Sequence, residues 1–294
     1  MLKPDLPYYD NPGGKTLPDG ISRVIDAHVH VFPDKIFSAV QAWFDAHAWK
    51  IRYRMTSREL IAFLLDRGVS RVTALQYAHK PGMAGFLNSY MAELCRDFPG
   101  RLIGLATIFP GEENAREILD NAFSMGLSGV KLHAHVQCFD MNSPDMDPVY
   151  DICQERNKPM VMHVGREPKS EHYLCDPYEL CRVEKVEQVL KAYPRLKLCV
   201  PHLGFDEVEQ YRKLIETCDT LWLDTAMVIT DYFPGHRWGD LSAYRKDRIM
   251  YGSDFPNIPY AWDRELLRLA GSGLSADDLD RVLYRNALSF FDAG

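Results

Sequence analysis

The sequence contains no long apolar run. None of its stretches approaches the roughly 20 consecutive apolar residues that a membrane-spanning helix needs. The first residues, MLKPDLPYYDNPGGKTLPDG, also lack the apolar region of a secretory signal peptide. We therefore expect a cytoplasmic protein that does not bind a membrane.

Paired cysteines are missing as well, and positive charge is scarce. The seven cysteines are dispersed from Cys95 to Cys218 without a CxxC pair, which is typical of reduced thiols rather than of a disulfide framework. With 34 Lys and Arg against 41 Asp and Glu, the formal net charge is −7. An acidic surface repels phosphate groups, so nucleic acid is not an expected partner. Local arginines could still bind an anionic substrate.

The chain does have a regular alternation of short apolar runs with amphipathic stretches. The apolar runs predict eight strands, over 22–29, 71–76, 101–108, 128–133, 159–163, 196–201, 220–225 and 248–252. The amphipathic stretches predict helices over 57–68, 84–97, 114–126, 148–157, 183–192, 206–217 and 261–270. Eight strands that are each followed by a helix predict an α/β fold, the (β/α)8 TIM barrel.

The predicted organisation is a single barrel domain. Residues 1–20 are rich in Pro, Gly and Asp and are expected to form an irregular N-terminal arm, and 21–294 form the domain. The tail, 275–293, is expected to add one or two C-terminal helices that cap or brace the barrel. An open, doubly wound sheet is the alternative, but no glycine-rich phosphate loop follows the first predicted strand.

Polar side chains stand where the predicted strands end, which is where TIM barrels carry their chemistry. The first strand ends in His28 and His30, which period-two alternation puts on one face, with Asp26 below them. Other strand ends add four further groups, Lys131, His163, His202 and Asp254. Taken singly, His163 could be an interior histidine, His202 a helix-entry residue and Asp254 an N-cap. Because they converge on one barrel mouth, and imidazole and carboxylate suit zinc, iron or manganese, we predict a divalent-metal site.

The same strand ends carry a family resemblance. The segments VIDAHVHVF, GVKLHAH, PMVMHVG, VPHLG and YGSDFP resemble, in order and over about 22–290, the signature segments of the amidohydrolase superfamily. The branch indicated is amidohydrolase 2, which contains aminocarboxymuconate-semialdehyde decarboxylase. The closing segment RVLYRNALSFF is similar to the terminal helix of that branch.

The resemblance implies roles for the strand-end residues. The principal metal would be held by His28, His30, His163 and Asp254. His202 would polarise the substrate, act as acid or base, or bind a second ion. Lys131 stands where dinuclear relatives have a carbamylated lysine, although it could instead pair with Asp26 or bind substrate. The expected cofactor is one Zn²⁺, with Mn²⁺ or Fe²⁺ as alternatives and a second metal left open.

These parts suit a metal-dependent hydrolase that cleaves an amide, lactone or ester bond. A metal lowers the pKa of bound water toward about 7, Asp254 can take that proton and pass it to the leaving group, and His202 can steady the oxyanion. The alternative is a non-oxidative decarboxylase of a carboxylated aromatic or muconate-like compound. A hydratase and a non-enzymatic metal-binding barrel are further hypotheses.

The predicted loops indicate the substrate class. The loop over 31–56 includes Trp49, and Tyr77, Arg166 and Arg237 belong to later loops. Aromatic rings stack on flat molecules, and guanidinium groups bind carboxylates through two hydrogen bonds. We therefore expect a small, carboxylated or cyclic substrate. The aromatic side chains could instead pack the loops or a homodimer interface.

Overall fold

Eight short parallel strands surround the centre of the molecule. The computed structural model describes residues 6–165, 171–233 and 240–292. The strands are β1 (Ile25–His30), β2 (Arg71–Leu75), β3 (Leu102–Gly104), β4 (Val130–His133), β5 (Met160–His163), β6 (Leu198–Val200), β7 (Leu221–Asp224) and β8 (Ile249–Met250). Every one of them lies within or overlaps a predicted strand.

Backbone contacts join these strands into a closed barrel. Strands β1–β2–β3 and β4–β5–β6–β7–β8 pair in sequence order, all in parallel. The first seam between the two sets is closed where the backbone nitrogen of Lys131 donates to the Ala106 carbonyl at 2.8 Å. The second is closed where the His30 nitrogen donates to the Phe255 carbonyl at 2.8 Å. The predicted TIM barrel is therefore confirmed, and its strands all end at one mouth.

Helices connect the strands and cover the outside of the barrel. They are α1 (Asp34–His47), α2 (Ser57–Asp66), α3 (Ala84–Asp97), α4 (Ala115–Ser124), α5 (Ala134–Gln137), α6 (Asp147–Glu155), α7 (Pro177–Leu180), α8 (Val183–Ala192), α9 (Val208–Thr217), α10 (Arg264–Ala270), α11 (Ala276–Asp280) and α12 (Asn286–Phe291). Short 3₁₀ turns cover Pro144–Met146, His202–Gly204, Leu241–Ala243 and Lys246–Arg248, and a π-helical turn covers Arg281–Arg285. The seven helices predicted between the strands are all present.

Helix α1 corrects the prediction that 31–56 is a loop. Its residues Phe37 and Gln41 are buried against the protein, whereas Ile36, Val40 and Trp43 line a cavity instead. Apolar residues therefore occupy more than one side of α1, which blurs the single apolar stripe by which a surface helix is recognised.

The C-terminal helix fills the end of the barrel opposite the mouth. Phe290 and Phe291 of α12 pack in one buried group with strand residues such as Ile25, Val161 and Trp222. The barrel interior is thus a packed core, and α12 closes its lower end. A larger apolar group fills the space between strands and outer helices. The predicted C-terminal helices are confirmed as part of the fold.

The N-terminal segment lies against the barrel without regular structure over 6–24. The Gly14 nitrogen donates to Asp263 Oδ2 at 2.7 Å, and Trp262 Nε1 donates to the Gly14 carbonyl at 2.9 Å. The division into an arm and a single domain stays a prediction. Among the described residues, no helix combines the length and the apolar character needed to cross a membrane.

Candidate metal centre

Three side chains from the first and last strands bring their ligand atoms together at the barrel mouth. His30 Nε2 lies 2.9 Å from Asp254 Oδ1, and His28 Nε2 lies 3.4 Å from the same oxygen. The two Nε2 atoms are 3.2 Å apart. All three side chains are buried. Two imidazole nitrogens and a carboxylate oxygen at this spacing form a donor set that fits a divalent cation.

Asp224 orients His28 and sets its tautomer. His28 Nδ1 lies 2.8 Å from Asp224 Oδ2, so this nitrogen carries the proton and Nε2 keeps its lone pair. Burial, followed by the charge of Lys131, lowers the pKa of His28 well below its usual value. Burial raises the pKa of Asp224, and its hydrogen bonds oppose that shift. A neutral imidazole oriented by a carboxylate is the usual form of a metal-binding histidine.

Close backbone packing and strain support the ligand group. Asp254 has a φ of 63°, a left-handed conformation that a residue with a side chain adopts at a cost. A Cβ atom at Gly252 would lie 2.7 Å from the His28 Cβ, so β8 can approach β1 only because this residue is glycine. Asp26 connects the two strands, since its carboxylate accepts from the backbone nitrogen of His28 and from the backbone nitrogen and hydroxyl of Ser253. Burial raises the pKa of Asp26 to about 7.

His202 and His163 form a hydrogen-bonded chain at the neighbouring strand ends. The backbone nitrogen of His202 donates to Asp224 Oδ1 at 3.0 Å, so one carboxylate contacts both His28 and His202. His202 Nδ1 lies 2.9 Å from the Ala226 carbonyl, and His202 Nε2 lies 3.2 Å from His163 Nδ1. The predicted strand-end histidines therefore lie close together at the mouth.

His163 groups with two histidines that the sequence analysis did not place in the site. Among the described residues, ligand atoms lie within 4.8 Å of one another in two sets, His28–His30–Asp254 and His133–His135–His163. Lys131 is fully buried, and its charge acts on both His28 and Asp224. The mouth thus offers two neighbouring clusters of buried imidazoles.

A cavity of about 470 Å³ adjoins the second of these clusters, since His133 and His135 line it. One wall is helix α1, which presents Ile36, Val40 and Trp43 at spacings of four and three residues and therefore on one helix face. Tyr173 and Leu174 contribute a second wall, and the rings of Trp43 and Tyr173 stack at 5.5 Å. The walls are thus mainly apolar and aromatic.

The part of the cavity nearest the strands is more polar. It is lined by His133 and His135 together with Phe32 and Tyr77. The ring of Tyr77 lies 6.0 Å from that of His30 and 4.9 Å from that of His133. Tyr77 therefore lines the cavity next to His30 and His133, and its contact with substrate stays a prediction.

Of the other three residues predicted to bind substrate, Trp49 is the one that the structure describes. Trp49 is not among the cavity-lining residues. Its Nε1 donates to the Asn257 carbonyl at 2.8 Å, and its ring packs 5.3 Å from Phe44. Arg166 and Arg237 lie outside the described residues, so their contribution to substrate binding stays a prediction.

Asp224, His133 and His135 are the site residues that the sequence analysis missed. Asp224 ends the apolar run LWLD of β7, the same signal that identified Asp254 and His163, so it could have been found. His135 follows His133 at the spacing of the first His-x-His pair. It belongs to the short helix α5, two residues beyond the end of β4.

Known proteins resemble this chain over nearly its whole length. A model of the amidohydrolase family matches residues 25–293. The 2-amino-3-carboxymuconate-6-semialdehyde decarboxylase of Dictyostelium discoideum is 24% identical in an alignment over 135 residues that covers 42% of this chain. The match spans only 38% of the length of that relative.

Solved structures share the fold. The 5-carboxyvanillate decarboxylase of Novosphingobium aromaticivorans, determined with manganese and 4-hydroxy-3-methoxy-5-nitrobenzoic acid, has a TM-score of 0.70 at 18% identity, covering 96% of this chain and 99% of its own. The 2,6-dihydroxybenzoate decarboxylase of Rhizobium has a TM-score of 0.66 at 14% identity, covering 92% and 98%. At such identities the likeness shows the fold.

The family model and the ligand groups together support an enzyme that uses a divalent metal. One solved structure of the same fold contains manganese, and the expected zinc stays a prediction. Because the family model matches residues 25–293, this chain belongs to the amidohydrolase superfamily, in the amidohydrolase 2 branch.

Proposed function

We propose that the protein is a metal-dependent, non-oxidative decarboxylase of a small aromatic or conjugated carboxylic acid. The observation that carries this proposal is the mainly apolar, aromatic-walled cavity beside the His28–His30–Asp254 group. A flat ring fits between Trp43 and the side chains around Tyr77, where stacking and edge contacts are available. The relatives described above include decarboxylases of carboxylated aromatic rings, which favours this alternative over the expected hydrolase.

His28, His30 and Asp254 would hold the cation, with His163 as a further ligand by the family resemblance. When bound, a divalent metal acts as a Lewis acid that orients substrate oxygens and stabilises negative charge. Asp224 would keep His28 in the ligating tautomer through its 2.8 Å contact. His28, His30 and Asp224 would not react themselves, because their role is to hold the cation that positions the acid.

Decarboxylation requires a proton at the carbon that loses carbon dioxide. The carbon–carbon bond breaks, its electron pair stays on the ring carbon, and a proton takes the place of the carboxyl group. We assign this proton transfer to Asp254, whose side chain is 10% exposed beside His30, and assign to His202 the stabilisation of charge on the substrate. The apolar cavity walls exclude water from the reacting carbon.

The test compares carbon dioxide release with acid production. Protein loaded with Mn²⁺ or Zn²⁺ is incubated with hydroxybenzoates, carboxylated methoxyphenols and muconate-like acids, and in parallel with lactones and esters. We expect carbon dioxide from one of the acids, with one deuterium per product placed at the vacated carbon in D₂O. Acid production from a lactone or ester without carbon dioxide release would show that the protein is a hydrolase.

Two variants connect the activity to the site. Asp254→Asn should lower turnover by at least about 10²-fold, the usual scale of a lost acid or base. Asp97→Asn is the matched control, since Asp97 is an exposed carboxylate paired with Arg58, and it should keep full activity. Equal turnover in the two variants would remove Asp254 from the mechanism.

A further inference from the structure

Two cysteine side chains meet beside the cavity, and neither the metal centre nor the proposed reaction uses them. Cys138 follows the last residue of helix α5, and Cys175 follows Tyr173 and Leu174, which form the second wall of the cavity. Their Sγ atoms lie 2.8 Å apart, although the two residues are 37 positions apart in the sequence. We propose that Cys138 and Cys175 form a reversible disulfide that attaches this wall of the cavity to helix α5.

A shared carbonyl group holds the two sulfur atoms next to each other. The Cys175 thiol donates to the His135 carbonyl at 3.1 Å, and the Cys138 thiol donates to the Cys175 sulfur. Cys138 Sγ also lies 3.4 Å from the same carbonyl oxygen. A disulfide bond is about 2.05 Å long, so the sulfur atoms need to approach by less than about 1 Å. Formation of the bond therefore requires a small local adjustment and leaves the barrel in place.

The exposure of the two thiols sets the order in which they react. Cys138 is exposed and Cys175 is half-buried, so a small disulfide such as glutathione disulfide meets Cys138 first. Burial raises the pKa of Cys175 to about 12, and the hydrogen bond and charge of Cys138 act in the same direction. Both effects of Cys138 end once it has joined glutathione in a mixed disulfide. Cys175 is therefore the second thiol to react, and its sulfur is already in contact with its target.

The reaction is a thiol–disulfide exchange in two steps. The Cys138 sulfur loses its proton to solvent and attacks one sulfur of glutathione disulfide, whose S–S bond breaks and releases one glutathione thiolate, which takes up a proton. The Cys175 sulfur then loses its proton and attacks the Cys138 sulfur, which releases the second glutathione in the same way. Two protein thiols are oxidised to one disulfide, and one glutathione disulfide is reduced to two thiols. An excess of glutathione reverses both steps.

The bond would restrict the aromatic wall of the cavity. The ring of Tyr173 stacks on that of Trp43 at 5.5 Å and lies 4.7 Å from that of His135. Because Cys175 is two positions after Tyr173, a covalent bond from Cys175 to the end of α5 limits how far this ring can move from His135. The same cross-link also restricts the unfolded chain over 37 residues, so the oxidised form should be the more stable one.

Mapping the bond in the folded chain tests the proposal. The purified protein is incubated with excess glutathione disulfide, quenched in acid, alkylated in denaturant, digested with trypsin and analysed by mass spectrometry. We expect a disulfide between the tryptic peptides 132–156 and 170–182, and alkylation of five of the seven cysteines, because two are then joined. Dithiothreitol added before alkylation should restore alkylation of all seven.

Single substitutions identify the pair, because each of these peptides has a second cysteine. These are Cys153 and Cys181, and both are buried. Cys138→Ser should form no link, and Cys175→Ser should stop at the mixed disulfide of Cys138 with glutathione. Cys218→Ser is the matched control, since Cys218 is half-buried like Cys175, and it should form the same link as the wild type.

Thermal unfolding shows whether the folded protein accommodates the bond. The oxidised wild type should unfold at a higher temperature than the reduced wild type, whereas Cys138→Ser should unfold at the same temperature under both conditions. Three results overturn the proposal: a wild type without the link, a link that persists in Cys138→Ser or Cys175→Ser, and an unfolding temperature that oxidation of the wild type does not raise. None of these measurements depends on decarboxylation.

Discussion

Asp224 positions two histidines at the barrel mouth with one carboxylate. Its Oδ2 lies 2.8 Å from His28 Nδ1, and its Oδ1 accepts from the backbone nitrogens of His202 and Ala226. Both oxygens are therefore in use as acceptors. An amide at this position has one oxygen only, so it cannot replace all three contacts.

Asp224→Asn is therefore expected to weaken metal binding about 10- to 100-fold, the usual cost of losing a partner of a ligating histidine. The amide nitrogen facing His28 favours the tautomer with the proton on Nε2, which blocks ligation. The measurement is the dissociation constant of Zn²⁺ in competition with a chelating dye. Asp219→Asn, at an exposed aspartate just before β7, should leave that constant unchanged, and equal constants for the two variants would contradict the argument.

Gly252 is the other residue whose identity the metal site requires. A side chain at this position would place its Cβ 2.7 Å from the His28 Cβ, closer than packed carbon atoms approach. Gly252→Ala should destabilise the protein by about 1–3 kcal/mol, because β1 or β8 must move. Urea unfolding measures the loss of free energy.

Gly85→Ala is the matched control for that substitution. No atom lies within 4 Å of a Cβ built at Gly85, which is in helix α3, so alanine should be neutral or stabilising there. If both variants unfold at the same urea concentration, steric exclusion at Gly252 is not the reason for its glycine.

At the scale of elements, helix α10 holds the loop that follows β7. Glu265 Oε1 accepts from the Met227 nitrogen at 3.1 Å and from the Tyr260 hydroxyl at 2.9 Å. Two arginines of the same helix, Arg264 and Arg268, donate to the loop carbonyls of Thr230 and Ile229. Burial raises the pKa of the Glu265 carboxyl well above its usual value.

This raised pKa predicts a pH dependence of stability. Between the ordinary value of 4.5 and the raised folded value, the native state binds more protons than the unfolded state, so the free energy of unfolding falls as pH rises. Glu265→Gln keeps the accepting oxygen without the charge and should flatten that slope. Unfolding in urea at several pH values measures it. Glu216→Gln, on the exposed side of α9, should retain the wild-type slope. An unchanged slope in Glu265→Gln would contradict a Glu265 carboxyl that stays protonated in the folded protein.

The elements also show where sequence patterns were sufficient. Strands such as β4 and helices such as α3 were predictable because each buries one continuous run or one apolar stripe. Helix α1 was not predictable, because one side of it packs against the protein and another lines the cavity, so its sequence has no single apolar stripe. Asp224 could have been predicted, because it ends an apolar strand. The grouping of His163 with His133 and His135 depends on side-chain directions that spacing alone does not determine.

At the scale of the whole molecule, α12 closes the barrel at the end away from the metal ligands. Phe290 is fully buried, and its ring lies 5.3 Å from that of Trp222 inside the barrel. Phe290→Ala should therefore cost about 3–5 kcal/mol of unfolding free energy, the range for emptying an aromatic core position. Metal content at temperatures where the variant is folded should not change.

Phe86→Ala is the control, because Phe86 is 60% exposed and its loss should change stability by less than about 0.5 kcal/mol. Urea unfolding compares the two variants. A small effect of Phe290→Ala would mean that α12 is not part of the cooperative core.

The outer walls of the cavity and the proposed metal ligands come from different parts of the fold. The ligands stand at strand ends that the barrel holds rigidly, whereas the walls come from α1 and from Tyr173 and Leu174, which are attached to the barrel without forming it. Changes in the walls therefore alter which molecule is accepted without disturbing the chemistry at the strand ends. Exchanging these two segments between relatives is accordingly a direct route to new substrate preferences with unchanged strand-end residues.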